Sequence, residues 1–322
     1  MTARNWAALC SAVLIASCSA VPPAPAPVTV TPVAISPAGV QEITAVPAPP
    51  AGEECNREAS LRPGPHPAPG AMPTGSTMAT IVDRGRLVVG VDQNTFPSGF
   101  RNPTTGQLEG FDVDLAREIA RALFGDPSRV EFQVVNAKER ETALTTGQVD
   151  LVIRTYSITC ARKQLVDFST VYLYAHQRIL AAKGSGLDTP AELGGKRVCA
   201  VQGTTSLSTL FAMKPRPILI GATTWTDCLL LLQQGQVDAI STDDVVLAGL
   251  ALQDPTVEIG GASLGVEPYG VGVSKDHPDL VRFVNGTLDR IRDDGTWQRL
   301  YDTWLSDLGP SGGPPAPKYR DG

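Results

Sequence analysis

The sequence has no block of basic residues, no phosphate loop, no dinucleotide-binding glycine fingerprint and no CxxC pair. Lys and Arg are scattered through 322 residues of net charge −6, which argues against a nucleic-acid partner. Without the glycine motifs, the usual phosphate and dinucleotide cradles are missing. No Cys/His cluster has zinc spacing, so no metal is expected. Histidine is scarce, and His66, His176 and His277 fit neither a triad nor a metal spacing. One nucleophile-elbow match, Gly261-Ala262-Ser263-Leu264-Gly265, runs into Val266-Glu267-Pro268-Tyr269, which does not start the helix that motif requires. Catalysis has little to stand on, so the expectation is a protein that is not an enzyme and carries no cofactor.

The N-terminal apolar run, residues 6–16, is too short to span a bilayer. It follows Arg4 and ends in Ile15-Ala16-Ser17-Cys18, which resembles a bacterial lipobox. Residues 1–18 are therefore expected to be a lipoprotein signal peptide, with Cys18 the lipidated residue and the membrane reached through that anchor. Once Cys10 has left with the signal and Cys18 carries lipid, Cys55, Cys160, Cys199 and Cys228 remain. An even number in an oxidising compartment predicts two disulfides, with three pairings open. Residues 19–76 hold 14 of the 27 prolines and few large apolar side chains, so they read as an extended tether. Residues 309–322, rich in Pro and Gly, read as a flexible tail.

What is present is an α/β pattern. Residues 86–91 (RLVVGV) read as a buried strand, and GQLEGFDVDLAREIARAL as a helix with Asp112 and Asp114 near its start, where negative charge caps a helix. Residues 130–135 form a second strand and 140–146 a short helix before GQVD. Strands alternating with helices predict a largely parallel sheet. The closing segment places Leu280, Phe283, Val284, Leu288 and Ile291 on one helical stripe.

The stretch 147–172, GQVDLVIRTYSITCARKQLVDFSTVY, is the most informative. A strand, Leu151, Val152 and Ile153, runs into the hydroxyls of Thr155, Tyr156, Ser157 and Thr159, with Arg162 close behind. Hydroxyls, free N–H groups and a planar guanidinium suit a carboxylate ligand. An internal echo follows: residues 144–153, LTTGQVDLVI, match 232–241, LQQGQVDAIS, each with a Gly where a helix should end. Five residues past each GQVD aspartate stand Thr155 and Asp243, at strand ends where open α/β sheets bind ligands. Two like lobes would then bring Arg162 and Asp243 to one zwitterion, a free amino acid. Residues 196–206 (KRVCAVQGTTS), a strand turning into a helix start, would add backbone N–H donors.

RLVVGV, LEGFDVDLAREIA, GQVDLVI, SITCARKQLVDFS, KRVCAVQGTTS, GQVDAISTDD, YGVGV and DGTW occur in an order and spacing that resembles family 3 extracytoplasmic solute-binding proteins, which serve polar amino-acid ABC transporters. The resemblance covers roughly residues 78–305 and is nearest to actinobacterial glutamate- and glutamine-binding lipoproteins. It implies a type II periplasmic-binding-protein fold: two hinged α/β lobes, 77–176 with 268–308 and 177–267, and a ligand cleft between them. By the same resemblance, Cys199 pairs with Cys228, leaving Cys55 with Cys160. Arg162 matches the α-carboxylate arginine, Thr155 and Ser157 line the same site, Thr205 supplies a backbone donor, and Asp243 takes the ammonium. Arg140 matches the arginine of acidic-ligand members, and Asp92 an aspartate of amide binders. The two disagree, and Arg140 is given more weight: aspartate or glutamate first, asparagine or glutamine next. Chain crossings at the hinge are expected near 174–178 and 268–271. The implied partners are the amino acid and an ABC permease, for a protein expected to be a monomer at the outer face of the cell membrane. An alternative partner is a membrane protein reading the closed form as a sensor signal; an enzyme on the same fold ranks below both.

Overall fold

Strands and helices alternate through much of the described chain, which in this computed structural model comprises residues 36–46 and 55–320. The chain opens with strand β1 (Gln41–Glu42) and helix α1 (Thr77–Arg84), whose start is capped by the Ser76 hydroxyl accepting from the Ala79 N–H. RLVVGV becomes β2 (Leu87–Val91), buried at every position as expected of a strand covered on both faces. A three-stranded flap follows, β3 (Asn94–Thr95), β4 (Gly99–Arg101) and β5 (Leu108–Glu109), then α2 (Phe111–Phe124), β6 (Val130–Val134), α3 (Arg140–Thr145) and β7 (Leu151–Val152). Helix α4 (Cys160–Leu165) and β8 (Val166–Phe168) lead into the long β9 (Leu173–Ala182). Next come β10 (Arg197–Val201), α5 (Thr205–Ala212), β11 (Ile218–Ala222), α6 (Trp225–Gln233), β12 (Ala239–Asp243), α7 (Asp244–Gln253) and β13 (Val257–Tyr269). The chain ends with β14 (Gly272–Ser274), α8 (Pro278–Asp293) and α9 (Thr296–Trp304). Among the described residues no helix is long and apolar enough to cross a membrane.

Two sheets of matching order make two lobes. One runs β6-β2-β7-β14-β8, the other β1-β11-β10-β12-β9-β13. In each, a first strand lies between a second and a third, all parallel: β2 between β6 and β7, and β10 between β11 and β12. The remaining strands pair antiparallel, so neither sheet is purely parallel. The echoed GQVD segments feed the equivalent strands β7 and β12. Gly147 and Gly235, at φ 69° and 65°, end the preceding helices by donating to Leu144 O and Leu232 O. Both need the left-handed conformation that glycine reaches without steric cost. The lobes join where β9 leaves and β13 returns side by side, with Leu173 opposite Tyr269 and Tyr174 opposite Pro268. Helix α8 then closes the first lobe, and Leu280, Phe283, Val284, Leu288 and Ile291 are buried in its core, each worth about 1.5–3 kcal/mol of burial.

The expected tether is shorter than its composition suggests. Cys18 and the rest of residues 1–35 lie outside the described residues, but 36–46 and 55–76 lie against the body. Strand β1 extends the second lobe's sheet beside β11, and Val40, Ile43 and Val46 pack on that lobe's core. Ser60 donates to Phe168 O at 2.6 Å, and Lys163 donates to the carbonyls of Asn56 and Ala59 at 3.0 and 2.6 Å. The tail is also corrected, because residues 309–320 are seated: Tyr319 bridges to Ser60 and donates to Asp289 at 2.7 Å, while Lys318 pairs with Glu58 at 2.6 Å. Side-chain partners for Pro-rich chain outweigh its low intrinsic order. Disulfides join Cys55 to Cys160, at the start of α4, and Cys199 on β10 to Cys228 on α6.

Candidate functional site

The first lobe contributes three guanidinium groups. β7 ends in a turn that buries Arg154, and Thr155 beside it has φ 40°, the one non-glycine in the left-handed region among the described residues. Such a value is costly for a β-branched side chain. It is held in place by Asp112: the Thr155 N–H donates to Asp112 Oδ2 at 2.8 Å, and Tyr172 OH donates to Asp112 Oδ1 at 2.8 Å. This corrects the reading of Asp112 as a helix cap. It is almost fully buried, and desolvation pushes its carboxyl up to about 6 against those two donors. Asp114 accepts from Arg117, one turn on in the same helix, at 2.6 Å, and makes a tertiary contact by accepting from Trp304 Nε1 at 2.8 Å.

Arg140, at the start of α3, is 2% exposed and donates to the carbonyls of Ala137, Arg154 and Gly203 at 2.8, 3.4 and 3.0 Å. Burial, then Arg162 beside it, lowers its pKa, yet a guanidinium keeps its proton at neutral pH. A buried cation bonded only to carbonyls calls for an anion. Arg162, on α4, donates to Ser157 O at 2.6 Å and Gly203 O at 3.0 Å, with its Nε 3.2 Å from Glu141. Both guanidinium groups lie against the Tyr156 ring, 4.3 and 5.0 Å from its centre.

The second lobe contributes hydroxyls and acid. Gly203 is required where the lobes meet: at φ 80°, a Cβ there would stand 2.7 Å from Lys138 Cα. After it, the Thr204 side chain caps α5 by accepting from Leu207 N–H, which leaves first-turn N–H groups near Thr205 without intrahelical acceptors. Thr205 Oγ1 lies 3.4 Å from Ser157 Oγ of the other lobe and donates to Glu267 at 3.0 Å. Asp243 ends β12. Its Oδ2 accepts from Tyr269 OH, and its buried Oδ1 has no partner. Desolvation, then the charge of Glu267, pushes its pKa up.

One cavity is lined by Arg140, Thr155, Ser157, Arg162, Thr205 and Asp243, six of the seven residues singled out in the sequence. Asp92 does not line it. Its Oδ2 lies 2.7 Å from Arg154 Nη2, and its oxygens also accept from the Gln93 and Asn94 N–H groups and the Thr95 hydroxyl. Sequence reasoning missed Arg154, Thr204, Ser206, Trp225, Thr242 and Val246, which complete the lining. For Arg154 the signal was there: a charged residue straight after three apolar strand residues has to be buried or to sit at a strand end. Trp225 and Val246 gave none, since apolar helix residues more often serve a core.

The model of the bacterial extracellular solute-binding proteins, family 3, matches residues 87–307. The chain is similar to the ABC transporter glutamine-binding protein GlnH of Bacillus subtilis, 34% identical over 232 residues, 72% of this chain and 85% of that protein. It is similar also to the glutamate-binding protein GluB of Corynebacterium glutamicum, 30% identical over 70% of this chain and 80% of the other. Among solved structures, the holo arginine-binding protein ArgBP from T. maritima superposes with TM-score 0.63 at 31% identity, covering 71% of this chain and 99% of that one. The solute receptor for L-cysteine of Neisseria gonorrhoeae gives 0.68 at 27%, covering 72% and 94%. These are proteins that bind solutes rather than transform them, and their names differ in the side chain bound. With the matched model spanning every strand of the two sheets except β1, and the cleft between them, the chain belongs to the bacterial extracellular solute-binding proteins of family 3.

Proposed function

We propose that this chain captures an acidic amino acid, aspartate or glutamate, for an ABC permease, with asparagine and glutamine as weaker ligands. The observation that carries the reading is the meeting of guanidinium and carboxyl groups from separate lobes. Arg140 and Arg162 stand on one side, and on the other is Asp243, with a buried carboxylate oxygen that has no partner. Arg162 takes the α-carboxylate with help from Ser157 and the N–H groups at the start of α5, Asp243 takes the α-ammonium, and Arg140 takes the side-chain carboxylate. Asp92 is spent on Arg154 and does not contact ligand.

The cavity has a volume of about 10 Å³, room for about one water molecule. An amino acid enters only if the lobes part at β9 and β13 and the guanidinium groups swing off Gly203 O. Closure then follows from ligand contact with both lobes. Cys18 anchors the protein to the membrane by lipid, and Cys18→Ala should release it into the medium. A thermal-shift panel of the twenty amino acids tests the ligand: aspartate and glutamate should raise the melting temperature most, because ligand at about 100 times its Kd adds ~2.7 kcal/mol. A flat panel would end the proposal.

A further inference from the structure

Asp92 and Arg140 pull the ligand assignment in opposite directions, and a third side chain decides between them. Arg154 is 3% exposed, lines the cavity and reaches Asp92 Oδ2 at 2.7 Å, whereas Asp92 lies outside the lining. Of this buried pair it is the cation that meets the ligand space. Arg154 Nε is buried and has no hydrogen-bond partner. The nearby carboxylate of Asp112 is taken by the Thr155 N–H and the Tyr172 hydroxyl and does not line the cavity. The ionisable groups of the wall are therefore Arg140, Arg154, Arg162 and Asp243, three bases against one acid. A zwitterion's own carboxylate and ammonium answer Arg162 and Asp243. Two guanidinium groups are left facing the side chain, and a carboxylate satisfies them where an amide brings no charge.

We propose that Arg154 is a specificity-determining residue: by holding Asp92 in a buried ion pair it presents a cation where Asp92 alone would present an anion, and so selects a carboxylate side chain over an amide. The inference rests on the amino-acid reading above. Specificity is a difference between two affinities, so the readout is the ratio of Kd for glutamine to Kd for glutamate, and likewise for asparagine and aspartate. Calorimetric titrations of the full extracytoplasmic protein compare wild type, Asp92→Asn, Arg154→Gln and the double variant.

Arg154→Gln should cut the preference for acid at least tenfold, and Asp92→Asn should shift it the other way. Because Arg154→Gln leaves Asp92 buried without its partner and can fail to fold, the double variant, neutral at both positions, keeps the test alive; it too should fall at least tenfold below wild type. Ratios within twofold across folded variants overturn the inference, as does a wild type that prefers amides or an Asp92→Asn variant that moves toward them. If wild type binds none of the four amino acids, the amino-acid reading itself has failed, and this inference falls with it.

Discussion

Binding of an ammonium group beside Asp243 should expel a proton. Burial, then Glu267 nearby, raises this carboxyl to about 8 in the free protein. At pH 7, below that value, most molecules carry the proton. A cationic ligand binds the carboxylate, so at pH 7 binding should release most of a proton per event, and ionising Asp243 costs on the order of 1 kcal/mol of affinity. The Kd should improve as pH rises toward about 8 and level off above it. Titration calorimetry at pH 7 in phosphate and in Tris reads the release directly, because the two buffers take up protons with different enthalpies. Equal enthalpies in both buffers, with a flat Kd from pH 6 to 9, would refute the reasoning. Asp243→Asn should bind weakly and without the slope.

The same group sets a stability trend of opposite sense. Its folded pKa is raised above its unfolded value, so its contribution is fully present below about 4 and is lost as pH rises through about 8. Asp112, raised to about 6, acts in the same direction over a narrower window. The ligand-free protein should therefore soften from acid toward neutral pH, while the melting shift given by ligand grows.

Three further outcomes follow from the packing. Thr155→Gly removes a left-handed φ of 40° from a β-branched residue, worth about 1–2 kcal/mol, offset by roughly 0.5–1 kcal/mol of glycine backbone entropy; the melting temperature should rise slightly while affinity falls, and a lower melting temperature would contradict the strain. Ile43→Asp should peel residues 36–46 from β11, because the Ile43 side chain fills the space that a Cβ on Gly221 would take; the loss should be ~1 kcal/mol, with faster amide exchange at the backbone N–H of Ile43, which donates to Leu219 O, and unchanged exchange there would count against docking. Replacing Cys199 and Cys228 together by Ser opens a loop of 29 residues, for which chain entropy gives about 3–4 kcal/mol in urea unfolding; a loss under about 1 kcal/mol would mean the second lobe does not depend on that bridge.

The residues that the sequence made readable are those whose roles are set locally. Gly147 and Gly235 end helices, and GQVD leads into a strand in both lobes, so the echo exposes Thr155 and Asp243 at equivalent ends before any fold is known. Arg162 follows a hydroxyl run by a few residues, and its chemistry declares itself. What stayed hidden depends on partners far away in the chain. Asp112 sits where an acidic residue caps a helix, and a local rule assigns it that role; its oxygens instead meet Thr155, 43 residues on, and Tyr172, 60 residues on. The same holds for residues 36–46, whose composition says coil until β11, nearly 180 residues later, offers an unpaired edge. Asp92 is the sharpest instance, because its sign as a ligand contact depends on whether a cation 62 residues away reaches it. No pattern within either segment states that pairing, which on the proposed reading decides the charge that the cavity shows. On the proposed reading, selectivity in this cavity rests on the buried Asp92–Arg154 pair rather than on either position alone, and substituting one member should change which amino acid is preferred more than how tightly amino acids in general are held.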